Sequence, residues 1–313
     1  MSSWTATDIP DQTGRTILIT GANSGLGLRS AEALAAAGAR VLMACRNAEK
    51  AEAARVGVAA QATGPAPEVV PLDLSDLESV AACAERLTGE LDHLDVLMNN
   101  AGVMAIPLAR TAQGFEMQMG TNHLGHFALT GRLLPLLLAA PAPRVVSVSS
   151  QGHRPGRIRW DDPNWERGRY SSWPAYFQTK LANLLFTLEL DRQAKEHGTN
   201  LIAAAAHPGA SATNLGTAGP GSRTGILGGI MKGGVALSDR LVSQSDAMGA
   251  LPQLYATTMP DVTGNAYYGP DGLFEQRGYP KPVERTKRAS NAADAKRLWA
   301  LSEELTGVTY PWP

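Results

Sequence analysis

The sequence of 313 residues predicts one doubly wound α/β domain, with helices on both faces of a parallel sheet of about seven strands. Two patterns predict this fold class. Short apolar runs alternate with helical patterns, as they do in βαβ units. The runs are apolar almost throughout, as strands buried on both faces must be. The expected strands are Thr16–Thr20, Arg40–Ala44, Glu68–Leu72, Asp95–Met98, Arg144–Val148, Asn200–Ala206 and, more weakly, Asn265–Tyr268.

Capping residues and glycines indicate the helix boundaries. Gly38 can adopt the left-handed conformation that ends the first helix. Ser75 and Glu78 have the spacing of a capping box, in which each side chain accepts a hydrogen bond from the other residue's backbone N–H. Four helices are expected on these grounds, over Gly27–Ala37, from Ser75 to about Leu87, from Tyr176 to about His197 and from Asn291 to about Leu305.

The chain is expected to form a single domain over residues 1–313, because no internal repeat or long linker is visible. Within it, residues 151–175 contain Trp160, Trp165 and Trp173, which could form a substrate lid or anchor a long surface segment. Residues 209–245 are rich in glycine and small residues and have little periodicity. They are expected to form a loop region on the substrate side.

Composition and charge exclude several classes of protein. The formal net charge is −1, so no overall field favours nucleic acid or an anionic membrane. Two scattered cysteines, Cys45 and Cys83, make neither a disulfide framework nor a zinc site, and they indicate a reducing compartment. The N-terminus lacks a secretory pattern, and the apolar segment Leu133–Ala140 is too short to span a bilayer. A cytoplasmic protein without a transmembrane segment is expected.

A glycine-rich turn lies between the first expected strand and the first expected helix. Gly21 allows a tight turn, Gly25 lets the backbone approach a pyrophosphate, and Gly27 permits the helix to pack closely on the strand. The free N–H groups at the helix N-terminus can bind anionic oxygens. Glycines also serve ordinary turns, but this position favours a dinucleotide-binding site.

The residues after the second expected strand bear on the choice of cofactor. Folds that prefer NAD place an acid there, which binds the ribose 2′-hydroxyl. Here the segment reads Ala44-Cys45-Arg46-Asn47 and contains no acid. The planar guanidinium of Arg46 could pair with a 2′-phosphate, although an ordinary surface arginine would give the same sequence. The pattern favours NADP, with NAD as the alternative.

Tyr176 and Lys180 are four residues apart at the expected start of the long helix, so their side chains share one face. A phenol with a pKa near 10 is a poor proton shuttle at neutral pH. A nearby ammonium favours the phenolate and is therefore expected to lower the pKa of Tyr176. A tyrosine and a lysine at this spacing also occur by chance on amphipathic helices, so the spacing alone is weak evidence for catalysis. The position of the pair downstream of a nucleotide-binding turn favours a catalytic role.

The ordered set of these motifs resembles the short-chain dehydrogenase/reductase family, whose fold is Rossmann-like. The resemblance covers about Thr16 to Thr213, and details such as Asn122-His-Leu-Gly-His-Phe127 are similar to its retinol-dehydrogenase-like and protochlorophyllide-reductase-like members. Residues 151–175 are then an insertion relative to shorter members. The residues that carry the resemblance are Thr20-Gly21-Ala-Asn-Ser-Gly25-Leu-Gly27, Asp73-Leu74, Asn99-Asn100-Ala101-Gly102, Asn122, Ser149-Ser150, Tyr176-x-x-x-Lys180 and Pro208-Gly209-x-x-x-Thr213.

The resemblance implies a catalytic role for each of four residues. Tyr176 would act as general acid in reduction and as base in oxidation. Lys180 would lower the pKa of Tyr176 and hydrogen-bond the nicotinamide ribose. Ser150 would hold and polarise the substrate carbonyl, and Asn122 would fix a water in a proton relay to Lys180. The cofactor would carry the hydride while the protein supplies orientation and proton transfer.

The resemblance also implies a cofactor site and an assembly. Asp73 and Leu74 would border the adenine, residues 100–102 would line the cofactor, and the segment 208–213 would position the nicotinamide carboxamide. A homodimer or homotetramer is expected, often built on the helices that bear Asn122 and Tyr176. The expected cofactor-binding residues are Gly21, Asn23, Ser24, Gly25, Leu26, Gly27, Arg46, Asp73, Leu74, Asn100, Ala101, Gly102, Tyr176, Lys180, Pro208, Gly209 and Thr213.

Other readings of the same residues are weaker. Ser149 and Ser150 lack the G-x-S-x-G pattern of a hydrolase nucleophile. His123 and His126 lack a third metal ligand nearby, so packing or a supporting hydrogen bond is expected rather than a metal site. The expected function is NADP(H)-dependent oxidoreduction of a small carbonyl or alcohol. Abundant Ala, Leu and Met residues around the expected pocket favour an apolar substrate. A non-catalytic nucleotide sensor on the same fold and an epimerase or dehydratase of the extended branch are the alternatives.

Overall fold

The computed structural model describes residues 3–210 and 244–313. Over these ranges eight strands form one sheet in the order β3-β2-β1-β4-β5-β6-β7-β8. Neighbouring strands are parallel except for the antiparallel pair β7 and β8. The strands are β1 (Thr16–Thr20), β2 (Arg40–Cys45), β3 (Glu68–Pro71), β4 (Val96–Asn99), β5 (Arg144–Val148), β6 (Ile202–Ala206), β7 (Tyr267–Pro270) and β8 (Pro280–Pro282).

Helices cover both faces of this sheet, so the predicted doubly wound α/β fold is confirmed. One turn of α4 continues through the π-helix Gly120–Leu124 into α5. No helix within residues 3–210 and 244–313 is long and apolar enough to cross a membrane. The α-helices are α1 (Gly25–Ala36), α2 (Ala48–Ala59), α3 (Leu77–Glu90), α4 (Met117–Met119), α5 (Gly125–Leu138), α6 (Ser172–Glu196), α7 (Asp246–Thr258) and α8 (Ala292–Thr306).

Each of the seven expected strands is present, and three details of the expected elements are wrong. The eighth strand, β8, consists of Pro280, Lys281 and Pro282 and lies at the sheet edge, where prolines remove no ladder hydrogen bond. The capping box at Ser75 does not form. Instead Asp76 caps α3 by accepting from Glu78 N, and the Ser75 hydroxyl donates to Asp73 at 2.6 Å.

The long helix α6 begins at Ser172 rather than at Tyr176, so the last four residues of the segment 151–175 are helical. Ser171 occupies the N-cap position and Pro174 lies in the first turn, where the missing N–H of proline has no intrahelical partner to lose. The earlier start places Tyr176 more than one turn inside the helix. Its side chain is therefore held by a formed helix rather than by a fraying end.

The sheet separates two apolar cores. Leu18 packs on one side with residues of α3, α5 and α6, whereas Ile17 and Ile19 pack on the other side with residues of α1, α2 and α7. All three side chains are fully buried. Because successive residues of a strand point to opposite faces, an uninterrupted apolar run supplies both cores. This double burial fixes the carboxyl ends of the strands, on which the candidate site lies.

The segment after α8 lies across α5 and α6. The Tyr310 ring is 4.3 Å from the ring of Trp299, and its hydroxyl donates to Phe127 O at 2.8 Å. The Trp312 ring stacks on His197 at 5.3 Å and donates a hydrogen bond to Gln193. The chain's own C-terminal segment thus covers part of the helix surface on which an oligomer was expected.

Candidate active site

A cleft of about 390 Å³ opens at the carboxyl ends of β1 to β4. It lies at the reversal of strand order between β1 and β4, where doubly wound sheets bind ligands. Of the expected cofactor residues, those numbered 21 to 102 all line it. The lining residues are Gly21, Asn23, Ser24, Gly25, Leu26, Gly27, Ala44, Cys45, Arg46, Asn47, Lys50, Leu72, Asp73, Leu74, Asn100, Ala101, Gly102, Val103 and Thr121.

The glycine turn after β1 forms a cradle that side chains would fill. Gly21 and Gly25 have φ angles of 69° and 52°, in the left-handed region that favours glycine. A Cβ on Gly27 would collide with Gly21 O and lie 2.6 Å from Asn100 Nδ2. Helix α1 begins at Gly25, so its N-terminal N–H groups face this turn. The residues present therefore fit the pyrophosphate of a dinucleotide.

Thr20, which the sequence analysis did not assign to the site, ties the turn to the segment after β4. Its hydroxyl oxygen accepts from Asn100 N at 3.0 Å and Ala101 N at 2.9 Å. Asn100 Nδ2 returns a hydrogen bond to Thr20 O at 2.8 Å. His126 Nε2 lies 2.9 Å from the same hydroxyl, so this histidine supports the cleft by hydrogen bonding. These bonds hold two cleft walls in one arrangement.

Two cations line the end of the cleft that follows β2. Arg46 is exposed, and Lys50 lies one turn further along on α2. Asn47 caps this helix by accepting from Lys50 N at 2.8 Å. Lys50 was missed by the sequence analysis, although its spacing of four residues from Arg46 places it on the same side of a helix start. Asp73 and Leu74 form the neighbouring wall.

Tyr176, Ser150 and Lys180 come together beside the cleft. The Ser150 oxygen accepts from Gly152 N at 3.1 Å, and the Ser150 hydroxyl is near enough to Tyr176 to influence the pKa of that phenol. Lys180 Nζ lies 5.6 Å from the centroid of the Tyr176 ring and donates to Val148 O at 3.1 Å. Ser149 is turned the other way and donates to Lys180 O at 2.7 Å, which fastens the end of β5 to α6.

Burial controls the ionisation of this cluster. It raises the pKa of Tyr176 to about 12, and the neighbouring Ser150 hydroxyl opposes that rise. It lowers the pKa of Lys180 to about 8. The expectation that Lys180 lowers the pKa of Tyr176 is not met by the protein groups themselves, because the ammonium is directed at Val148 O and the loss of water outweighs it.

Gly102 joins the cluster to the cleft. A Cβ on this residue would lie 3.1 Å from Asn122 Oδ1 and 3.7 Å from Lys180 Nζ. The Asn122 amide is held by Val103 N (2.8 Å), Val103 O (2.9 Å) and the Thr179 hydroxyl (3.0 Å). Asn122 lies in the π-helix before α5, a distortion that is frequent at functional sites. The four expected catalytic residues are therefore assembled at one end of the dinucleotide cleft.

The segment after β6 packs against the loop between β7 and β8, and its described residues are not part of the cleft lining. Gly209 has a φ of 66°, and a Cβ there would collide with Gln276 O. Gln244 Nε2 donates to Pro208 O at 2.7 Å. Thr213 and most of the expected loop region 209–245 lie outside the described residues.

Two of the three tryptophans in the segment 151–175 anchor it to the protein. Trp165 is buried under the guanidinium of Arg159 at 4.1 Å, and Trp160 lies under that of Arg297 at 4.4 Å. Trp173 is different, because it is 51% exposed. Its ring meets that of Tyr176 edge-on at 6.2 Å. The anchoring interpretation therefore holds for the first two, and the third lies at the mouth of the cluster.

The sequence and fold match known oxidoreductases. A family model described as short chain dehydrogenase matches residues 15–219. Retinol dehydrogenase 13 of Homo sapiens is 38% identical over 303 residues, covering 95% of this chain and 86% of that protein. Retinol dehydrogenase 14 of Mus musculus is 39% identical over 307 residues, covering 94% and 86%.

Solved structures agree with these matches. A protein from Mycobacterium paratuberculosis is 46% identical with a TM-score of 0.81, covering 99% of this chain and all (100%) of that one. A short chain dehydrogenase from Shigella flexneri, solved in complex with NADP, shares the fold at 24% identity with a TM-score of 0.63, covering 83% and 98%. The chain therefore belongs to the short-chain dehydrogenase/reductase family, in its retinol-dehydrogenase-like branch, and is an oxidoreductase.

Proposed function

We propose that this protein transfers a hydride between NADP(H) and the carbonyl or alcohol of an apolar substrate. The observation that carries the proposal is the closeness of the Ser150 and Tyr176 side chains, placed with Lys180 at the end of a dinucleotide cleft. Two hydroxyls aimed at one oxygen can stabilise the alkoxide charge that develops during reduction.

The nicotinamide would supply or accept the hydride, and the protein would handle the proton. With its pKa raised to about 12 by burial, Tyr176 carries its proton at neutral pH. It would give that proton to the carbonyl oxygen as the hydride arrives, because the alkoxide then forming is a stronger base than a phenolate. Ser150 keeps its own hydrogen for that oxygen, because Gly152 N already satisfies a lone pair. Lys180 would add a positive charge near the phenol and so favour its ionised form once the proton has left, although burial outweighs this effect in the protein without substrate.

Arg46 and Lys50 support the choice of NADP over NAD. Both line the end of the cleft that follows β2, where the adenosine ribose lies in this fold class. A 2′-phosphate there would gain a bidentate partner in Arg46 and a second cation in Lys50. The cleft lining contains one acidic residue, Asp73, whose Oδ1 accepts hydrogen bonds from the N–H and hydroxyl of Ser75.

Exposed apolar side chains support an apolar substrate. The described residues expose five large hydrophobic side chains, and four of these lie on segments that follow strands of the parallel sheet. Leu108 follows β4, Trp173 lies at the start of α6 after β5, and Leu273 and Phe274 follow β7. The carboxyl ends of parallel strands share one edge of the sheet. The names of the retinol dehydrogenases among the relatives agree with an apolar alcohol or aldehyde.

Replacing Tyr176 with phenylalanine tests the proton-transfer role. Hydrophobic aldehydes and ketones are screened for oxidation of NADPH, and the best substrate is used for the variants. We expect Tyr176→Phe to lose about 10²- to 10⁴-fold in kcat, the usual contribution of a positioned acid, with NADPH affinity nearly unchanged. Tyr255→Phe is the control, because that hydroxyl donates to Asp261 on α7's side of the sheet and should be dispensable.

The outcome of this comparison separates the alternatives. Turnover by Tyr176→Phe equal to that of the parent would overturn the mechanism. Tight NADPH binding by the parent without turnover of any carbonyl would instead indicate a nucleotide sensor.

A second pair of variants tests the choice of cofactor. We expect Arg46→Ala to weaken NADPH binding about tenfold or more and NADH binding little. Arg55→Ala, which removes the partner of Glu52 in an exposed ion pair, should change neither affinity. Equal losses for both cofactors would remove the NADP assignment.

A further inference from the structure

The loop between β7 and β8 holds two residues in an unfavourable backbone conformation. Phe274 and Glu275 have φ angles of 51° and 56°, the left-handed region that non-glycine residues rarely adopt. Phe274 is also 79% exposed, so burial of its side chain does not explain the conformation. Strain of this kind persists only where surrounding contacts fix it, and it is concentrated at functional sites. The contacts of Glu275 supply that constraint.

The Glu275 carboxylate is bound by donors from two different loops. Gln151 Nε2 donates to it at 2.7 Å, and Arg154 lies within 3.2 Å, both from the segment that follows β5. His207 Nε2 lies 3.1 Å away and belongs to the segment that follows β6. The hydrogen bond with His207 is the main cause that lowers the pKa of Glu275 to about 2. The carboxylate is therefore ionised at any working pH.

The hydrogen bond between His207 and Glu275 has a defined direction. His207 Nδ1 accepts from Gly209 N at 3.2 Å, so in the neutral ring the hydrogen resides on Nε2 and is donated to the carboxylate. Gly269 of β7 lies against this ring, and a Cβ there would collide with Nε2. The imidazole thus transmits the position of Glu275 directly to the backbone of Gly209.

A second bond from the same loop reaches the same segment. Gln276 O accepts from Ala210 N at 2.7 Å, next to the position where a Cβ on Gly209 would collide. On the other side, Gln151 directly follows Ser150, whose hydroxyl meets Tyr176. The loop of residues 272–278 is therefore fastened both to the turn of residues 150–154, here called the serine turn, and to the segment 207–210.

We propose that Glu275 is a positioning residue, which clamps the serine turn to the segment 207–210 and so sets the distance between the Ser150 hydroxyl and the nicotinamide. The proposal rests on the function proposed above. Hydride transfer requires the reacting atoms to be aligned within a few tenths of an ångström, and small displacements lower the rate steeply. Loss of the clamp should therefore reduce the rate of the chemical step more than it reduces the affinity for the dinucleotide.

The test compares Glu275→Ala and Glu275→Gln with the parent. Glu52→Gln is the control, because it removes a carboxylate from an exposed pair with Arg55. With NADPH and the best aldehyde, we expect kcat to fall about 10- to 100-fold in Glu275→Ala. The loss in Glu275→Gln should be smaller, because an amide oxygen can still accept from His207. KM for NADPH should change little in either variant. The isotope effect on kcat, measured with deuterium in place of the transferred hydrogen of NADPH, should rise because hydride transfer becomes rate-limiting.

Two readouts do not depend on turnover. In the protein without added ligand, deuterium exchange at backbone amides of residues 150–154 and 207–210 should be faster in Glu275→Ala than in the parent and in Glu52→Gln. The fluorescence of bound NADPH should be weaker in Glu275→Ala, because a loosely held nicotinamide is quenched. Unchanged exchange and unchanged fluorescence would overturn the clamp, even if the parent reduces aldehydes well. A parent that lacks all turnover but shows both changes would refute the proposed function and keep the clamp.

Discussion

The substitution Lys180→Met tests whether the buried ammonium of Lys180 destabilises the folded protein. Burial lowers the pKa of Lys180 from its ordinary 10.5 to about 8. Between these two values the folded chain binds fewer protons than the unfolded chain, so the free energy of unfolding rises with pH across the window. The cost of the charge is therefore fully present below about pH 8 and is absent above about pH 10.5.

The size of the effect follows from the same two values. One pKa unit corresponds to about 1.4 kcal/mol, so the cost at pH 7 is on the order of 3 kcal/mol. The substitution also removes the hydrogen bond from Nζ to Val148 O, but that carbonyl keeps Asn183 Nδ2 as a donor at 3.0 Å. We therefore expect the stability of Lys180→Met relative to the parent to fall by on the order of 3 kcal/mol between pH 7 and pH 10.5.

Urea unfolding of both proteins at half-unit steps of pH measures this difference. Groups that titrate equally in both proteins cancel from it. Lys281→Met is the matched control, since that side chain is exposed in β8 and its ammonium stays in water. Its stability relative to the parent should stay constant over the same range. If the difference for Lys180→Met is also independent of pH, the ammonium is not desolvated and the reasoning from burial fails.

Three further substitutions or deletions test other parts of the structure. Gly27→Ala should lower the free energy of unfolding by about 1–3 kcal/mol and abolish NADPH binding, because its Cβ would enter the cradle; calorimetry measures both. Trp173→Ser should raise KM about tenfold for a long apolar aldehyde but not for a short one, because the exposed ring would lose an apolar contact. Deleting residues 308–313 would uncover the rings of Phe127 and Trp299. The deletion should lower the free energy of unfolding by about 3 kcal/mol or more, and it should promote self-association, which sedimentation measures.

The sheet and the cleft follow from local sequence signals. The apolar runs predict strands because burial on both faces leaves no place for polar residues along them. The glycine turn predicts a phosphate cradle because Gly21 and Gly25 need left-handed backbone and Gly27 has no space for a side chain. Such requirements act on single residues and their chain neighbours, so a sequence displays them.

Features set by contacts between distant segments are not visible in this way. Ser75 has the right spacing to cap α3, but its hydroxyl donates to Asp73 instead, and Asp76 caps the helix. The strand β8 has no apolar run of its own, and it exists because its backbone pairs with β7. Glu275 looks like an ordinary loop glutamate until the fold brings Gln151 and His207 to it. Each of these three features depends on a contact with another residue, which the local sequence pattern does not reveal.

The polar groups of the site are held mainly by backbone atoms. Lys180 donates to Val148 O, and Ser149 donates to Lys180 O. The Asn122 side-chain amide bonds to both the backbone N–H and the backbone oxygen of Val103. Among the described residues, these bonds keep the cluster in place without using the Tyr176 hydroxyl, and the Ser150 oxygen accepts only from Gly152 N. Both hydroxyls therefore keep hydrogen-bonding capacity for a substrate oxygen. It follows that substitutions of Ser150 or Tyr176 should damage chemistry far more than stability, whereas removal of the Asn122 amide or the Ser149 hydroxyl should alter the fold of the site as well.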